Sequence, residues 1–159
     1  MRILLTGGTG FLGRRLCADF VGAGHAVAVL SRRPECVARI CGPAVRPVAS
    51  LDALAAAEAI DAVVNLAGAP IAERRWSAAR RRELWESRVA FTRRLVAALG
   101  RLERPPPVLV SGSAVGYYGD RGDEVLDETS GPGGGFLSEL CAASEVDAAA
   151  ADRFAARVL

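Results

Sequence analysis

The chain has 159 residues, 51% of them hydrophobic, 24% charged and 6% aromatic, which is enough for one domain with a two- or three-layer core and short for two. All 20 of its Lys+Arg residues are arginine, which excludes Schiff-base chemistry, a phosphate-loop lysine and a lysine general base. The net charge of +2 is too small to argue for nucleic acid, and no nucleic-acid partner is expected.

Residues 2–6 form a short apolar run that stops at glycines, predicting a buried strand. Residues 11–22 carry apolar positions at 12, 16, 20 and 21, a helical spacing, with Gly22 and Gly24 ending the helix. Ala26–Leu30 predicts a second buried strand. Over 39–48 the pattern is ambiguous, and Pro43 and Pro47 argue against long regular structure. Leu51–Ala59 predicts a short alanine-rich helix, and Asp61–Leu66 another strand closed by Ala67-Gly68. Residues 77–100 predict the longest helix, marked by Leu84, Val89, Leu95 and Leu99. Three prolines at 105–107 lead into a strand at Val108–Val110. The polar, glycine-rich stretch 119–135 predicts a loop, 136–151 a last helix, and Arg157-Val158-Leu159 the start of a strand. Strands alternating with helices imply an α/β, Rossmann-type doubly wound parallel sheet with helices on both faces. One domain over 1–159 is expected.

Arginines cluster at 74–75, 80–82 and 93–94, among Glu73, Glu83 and Glu86. This mixture predicts a solvated helix face rather than an RNA-binding patch. Cys17, Cys36, Cys41 and Cys141 form no Cys-x-x-Cys pair, and His25 is not spaced to join them. No metal site is expected, and the scatter fits a reducing compartment. The apolar run after Met1 is too short for a signal peptide or a membrane span. A cytoplasmic protein without a membrane partner is expected.

Thr6-Gly7-Gly8-Thr9-Gly10-Phe11-Leu12-Gly13 lies where the first strand meets the first helix. The first glycine permits a tight turn and the second a close backbone approach by a pyrophosphate. Gly13 lets the helix pack on the strand, while the helix N-terminus attracts phosphate. An ordinary flexible turn is the bland alternative, but strand, turn, helix and strand follow in the order that dinucleotide binding requires. At the end of the second strand an NAD site usually carries an acid. Here the sequence is Ser31-Arg32-Arg33. Ser31 can donate to a phosphate and Arg32 can pair with a 2′-phosphate, so NADP is expected as cofactor, with NAD the alternative. Otherwise both arginines are solvated loop residues.

These motifs, followed by Asn65-Leu66-Ala67-Gly68, Ser111-Gly112-Ser113-Ala114 and Tyr117-Tyr118-Gly119, resemble an extended short-chain dehydrogenase/reductase. The stretches 65–71, Arg75-Trp76, Glu83 with Ser87-Arg88-Val89, 113–119 and 135–140 are more closely similar to its atypical branch of epimerase family proteins, some labelled cell-division inhibitors. The resemblance implies that Thr9, Gly10, Phe11 and Leu12 meet the pyrophosphate and Ser31-Arg32 the adenosine phosphate, with Gly7 and Gly13 counted among the cofactor-binding residues for the turn and the packing they allow. It further implies that Leu66 and Ala67 lie near the ribose and that Glu83 and Arg88 face the cofactor. A helix-surface ion pair is the other reading of Glu83. Trp76 and Trp85 are expected to be packing residues. Ser113 matches the superfamily's substrate-binding serine, and Tyr117 or Tyr118 could sit beside it; these three are the candidate catalytic residues. A strand-end serine satisfied by backbone is the alternative for Ser113.

Two departures from the superfamily stand out. Its Tyr-x-x-x-Lys pair is matched here by Phe136 and Leu140, which cannot supply a phenol or an ammonium; the atypical branch shares this loss. Ser144 stands where that branch has Trp before Glu145. The resemblance also implies a longer chain, whose remaining part would hold the last strands and much of the substrate pocket. The sheet is therefore expected to be incomplete at its C-terminal end, with an exposed edge open to homo-oligomer pairing. The expected function is an NADP-binding epimerase/dehydratase-like domain, a hydride-transfer oxidoreductase or epimerase of unknown small-molecule substrate. The alternatives are a non-catalytic dinucleotide-sensing or protein-interaction domain, or a truncated fragment.

Overall fold

The structure is a computed structural model that describes residues 1–154, 157 and 158. The strands are β1 (Arg2–Thr6), β2 (Ala26–Leu30), β3 (Arg46–Val48), β4 (Ala62–Asn65), β5 (Val108–Ser111) and β6 (Arg157–Val158). They form one sheet in the order β3-β2-β1-β4-β5-β6, with every pairing parallel. The helices are α1 (Phe11–Gly22), α2 (Val37–Cys41), α3 (Ala78–Trp85), α4 (Phe91–Leu99) and α5 (Phe136–Ala149). The doubly wound parallel sheet read from the alternation is borne out. Leu159, the last residue of the expected final strand, lies outside the described residues.

Neighbouring residues of one strand serve opposite faces. Leu4, Ala28, Val63 and Leu109 pack with Leu95, Val96 and Leu99 of α4, while Ile3, Leu5, Val27, Val29 and Val64 pack with Cys17 of α1 and Val37 and Cys41 of α2. Burial on both faces explains the unbroken apolar runs of β1 and β4. The sheet turns back on itself at β1: β2 and β3 extend to one side, β4, β5 and β6 to the other. A crevice opens at such a reversal, outside the carboxyl ends of the strands.

Two expectations are corrected, and the ambiguous stretch resolves into short elements, as its prolines suggested. The alanine-rich stretch after Leu51 is a short 3₁₀ turn, Leu51–Ala53, capped by Ser50 Oγ, which accepts from the Ala53 N–H at 3.2 Å. Beyond it Ala55, Ala56 and Ala57 are exposed, so a helix there would bury nothing and could not offset its nucleation cost. The ambiguous stretch holds α2 and the edge strand β3, where Pro47 pairs with Val29; an edge position accommodates its missing N–H. The long helix over 77–100 is interrupted by a π-helical turn at Glu86–Ala90.

Candidate functional site

At the carboxyl end of β1 the chain reverses into α1 through two close approaches. Gly7 has φ +69°, and a Cβ there would lie 2.5 Å from the Leu66 carbonyl oxygen. A Cβ on Gly13 would lie 2.3 Å from the Gly7 carbonyl oxygen. The Gly10 N–H donates to Gly7 O at 3.0 Å, and the first α-helical bond runs from the Arg14 N–H to Gly10 O at 3.1 Å. The amides of Phe11, Leu12 and Gly13 thus precede the first helical hydrogen bond, where N–H groups and the positive dipole end attract an anion. Phe11 and Leu12 expose 80% and 62% of their surface, so what they offer this site is backbone.

A buried polar network fixes the strap that faces this turn. Thr6 Oγ1 donates to Asn65 Oδ1 at 2.6 Å, and the Asn65 amide donates to Thr92 Oγ1 at 3.0 Å and Ser111 Oγ at 3.2 Å. The Ala67 N–H donates to Thr6 Oγ1 at 3.2 Å. Each member is satisfied from a different element, so the ends of β1, β4, β5 and α4 are held together. Sequence reading used Asn65 only as a marker and missed its bonds, because the partners are far apart in the chain.

A cleft of about 810 Å³ runs along these strand ends. It brings together Gly7, Thr9, Gly10, Ser31, Arg32, Leu66, Ala67 and Glu83 of the expected cofactor residues. Gly13 lies beneath the turn rather than in the cleft. Glu83 lines the cleft and takes the ion pair of its other reading, from Arg80 at 2.7 Å, which holds its carboxyl below the usual range. Arg88 is half-buried against the strap and donates to Ala69 O at 2.9 Å; burial pushes its guanidinium down. Arg33, Ser87, Phe91, Arg94 and Arg101 also line the cleft, where none of them was expected. Sequence alone puts Arg94 on a solvated helix face, because nothing local shows that its side of α4 borders the cleft.

The arginine cluster at 80–82 is not uniformly solvated. Arg80 is 4% exposed and bonds Glu83 and the Pro70 carbonyl, with Glu73 at 3.8 Å; its Nε has no partner among the described residues. It ties α3 to the strap. Trp76 and Trp85 are packing residues as expected. Trp76 Nε1 donates to Ile71 O at 3.0 Å and its ring meets Phe136 edge-on at 5.8 Å, while Trp85 lies against the Leu84–Val89–Leu140 cluster.

Ser113, Tyr117 and Tyr118 lie beyond β5 and do not line the cleft. The Ser113 hydroxyl donates to the Glu145 carboxylate. The two tyrosine rings pack against each other at 5.2 Å. Their loop is anchored to α5 by Ser138 Oγ, which donates to Tyr117 O at 2.6 Å. Phe136 is taken up by Trp76 and by the Arg81 guanidinium over its ring, and Leu140 is fully buried beside Leu84 and Val89. The α5 residues that reach Ser113 are therefore Glu145 and Cys141, the latter one position past the leucine. Burial pushes the Cys141 thiol up and Glu145 adds to the rise, against the Arg88 guanidinium.

The chain matches the family model described as NAD dependent epimerase/dehydratase family over residues 3–152. It is 37% identical over 152 residues to the chloroplastic epimerase family protein SDR39U1 homolog of Arabidopsis thaliana, covering 89% of this chain and 42% of that protein. Epimerase family protein Mb2239 of Mycobacterium bovis is 36% identical over 162 residues, 99% of this chain and 51% of its own. The chain thus spans about half the length of the curated relatives it matches. The crystal structure of human SDR39U1 with NADPH superposes with a TM-score of 0.79 at 34% identity, covering 99% of this chain and 52% of that one. That of a UDP-galactose 4-epimerase superposes at 0.81 with 22% identity, which shows the fold alone. No helix among the described residues is long and apolar enough to cross a membrane. The glycine turn, the order of the sheet and the matched residues agree: the chain belongs to the NAD dependent epimerase/dehydratase family.

Proposed function

We propose that this chain is the NADP-binding part of an epimerase/dehydratase-type protein. The observation that carries the reading is the cradle at the head of α1. Gly7 and Gly13 leave no room for side chains, and the amides that precede the first helical bond open into a cleft whose other end carries Arg32. A pyrophosphate fits the cradle, where the helix N-terminus favours its charge. Arg32 and Ser31 would hold the adenosine phosphate, and Leu66 and Ala67 would pack on the ribose. The solved human relative was crystallised with NADPH, which supports the same cofactor here. Bound, a nicotinamide supplies or accepts hydride. Titration of the protein with NADPH, followed by nicotinamide fluorescence, tests the reading. Saturable binding is expected, and its absence at millimolar dinucleotide overturns it.

A second reading, binding without turnover, is favoured by the side chains around Ser113. Its hydroxyl faces a carboxylate, and Phe136 and Leu140 are spent on packing. No phenol–ammonium pair is available to hold or move the proton of a carbonyl oxygen.

A further inference from the structure

We infer that Arg94 is a specificity-determining residue of the cleft, which contacts the 2′-phosphate of an adenosine carrying one. The inference deepens the dinucleotide reading and rests on it. Three elements converge at the end of the cleft away from the glycine turn. The Ser31 N–H donates to Val48 O at 3.0 Å, so the residues after β2 adjoin those after β3. Leu51, in the 3₁₀ turn that follows β3, packs in one cluster with Leu95, Val96 and Leu99 of α4. Arg32 and Arg33 therefore share this end of the cleft with Arg94 of α4 and Arg101 just beyond it.

Four arginines share the cleft with three carboxylates, Asp52, Glu83 and Glu86, and their charges do not balance. Arg101 has Asp52 at 3.9 Å, and that carboxylate is 94% exposed. Among the described residues, Arg32, Arg33 and Arg94 have no carboxylate within the 4.0 Å of an ion pair. Glu83 feels Arg32 across the cleft, but its carboxylate is bonded to Arg80. Guanidiniums gathered in a concave site raise the local concentration of an anionic ligand, and they form directional forks to phosphate oxygens. A pyrophosphate at the glycine turn leaves these charges unused; a phosphate monoester on the ribose would engage them. Arg93 provides the contrast. It is rotated about 100° around the helix from Arg94, and its Nε donates to Asp147 of α5 at 3.1 Å.

Calorimetric titrations with NADPH, NADH and 2′,5′-ADP separate the possibilities. For Arg94→Gln, NADPH and 2′,5′-ADP should weaken by about tenfold or more, the worth of a charge-assisted contact, and NADH by less than about twofold. Arg94→Lys should retain most of the preference, and Arg93→Gln all of it. Unchanged NADPH affinity in Arg94→Gln overturns the inference, as does an equal loss for NADH, which would make Arg94 a wall of the adenine site. In either case a wild-type preference for NADPH leaves the cofactor reading standing. A wild-type protein that binds NADH as tightly as NADPH overturns the phosphate reading and this inference with it.

Discussion

The thiol of Cys41 donates to the carbonyl of Gly8 at 3.3 Å, and the thiol of Cys17 lies beside it. The glycine turn, the proposed phosphate cradle, is thus supported from below by two buried sulfurs. Burial first, and Cys41 second, push the Cys17 thiol up to about 12; burial raises Cys41 as well. In the unfolded chain a thiol ionises near its ordinary value of ~8.5. Above that pH the unfolded state releases a proton that the folded state keeps. Stability is therefore unaffected by this group below about pH 8 and falls as pH rises toward 12, by up to ~1.4 kcal/mol per pH unit for Cys17. Urea midpoints should decline between about pH 8.5 and 10.5, and Cys17→Ala should flatten that decline. Equal slopes in the two proteins would refute the assignment.

The glycine turn predicts two different failures. Gly10 has φ −78°, and a Cβ there meets only Gly7 O, at 3.1 Å. Gly10→Val should keep its fold by circular dichroism and lose NADPH binding, because a branched side chain occupies the phosphate approach. A Cβ on Gly13 meets backbone at 2.3, 2.6 and 2.8 Å, so Gly13→Val should lower the melting temperature as well. Normal NADPH binding by Gly10→Val would show that the cradle holds something else.

The end of β2 carries no acid, and the proposed contact of Arg32 with a 2′-phosphate makes a cofactor preference testable. NADPH should bind more tightly than NADH by roughly 1–3 kcal/mol, from a charge-assisted phosphate contact. Arg32→Ala should remove most of that difference. Fluorescence titration of both nucleotides decides the point; a preference that survives in Arg32→Ala excludes Arg32 as its source.

Turnover should be negligible in the 159-residue chain by itself. With no lysine in the sequence and Phe136 packed on Trp76, nothing beside Ser113 supplies a conventional proton relay. Assays with sugar nucleotides and simple carbonyls under saturating NADPH should give no change in absorbance above background. Brisk reduction or epimerisation would contradict this. Light scattering on the same sample tests pairing through the sheet edge at β6: association that grows with concentration is expected, and a strict monomer argues against it.

The parts of this fold that could be read from sequence are those where one residue pattern serves one local geometry. β1, the glycine turn and α1 belong here: the apolar run, the glycines and the helical spacing each specify their own stretch, and α1 begins and ends at the residues that spacing suggested. Leu51–Ala59 failed because alanine's intrinsic helix propensity alone cannot offset the nucleation cost of so short a helix with no apolar face to bury. Arg80 failed because its two neighbours in the cluster, Arg81 and Arg82, are exposed and nothing local marks the one that turns inward to Glu83 and Pro70. The Ser113–Glu145 bond joins residues 32 apart in sequence. It follows from how α5 is rotated against β5, a property of packing rather than of spacing.

The π turn at Glu86–Ala90 acts as a phase setter between the two helices it joins. Such a turn holds one residue more than a regular helix would, so the extra residue is absorbed locally and α4 keeps its phase against the sheet. Deleting one residue inside Glu86–Ala90 should let α3 and α4 merge into an unbroken helix, with Thr92 still bonded to Asn65 and Leu95, Val96 and Leu99 still on the sheet. A deletion inside α4, which has no such slack, should instead rotate one side of the helix against the other by about 100°. Single-residue length changes among natural variants should therefore fall within the π turn rather than in α4.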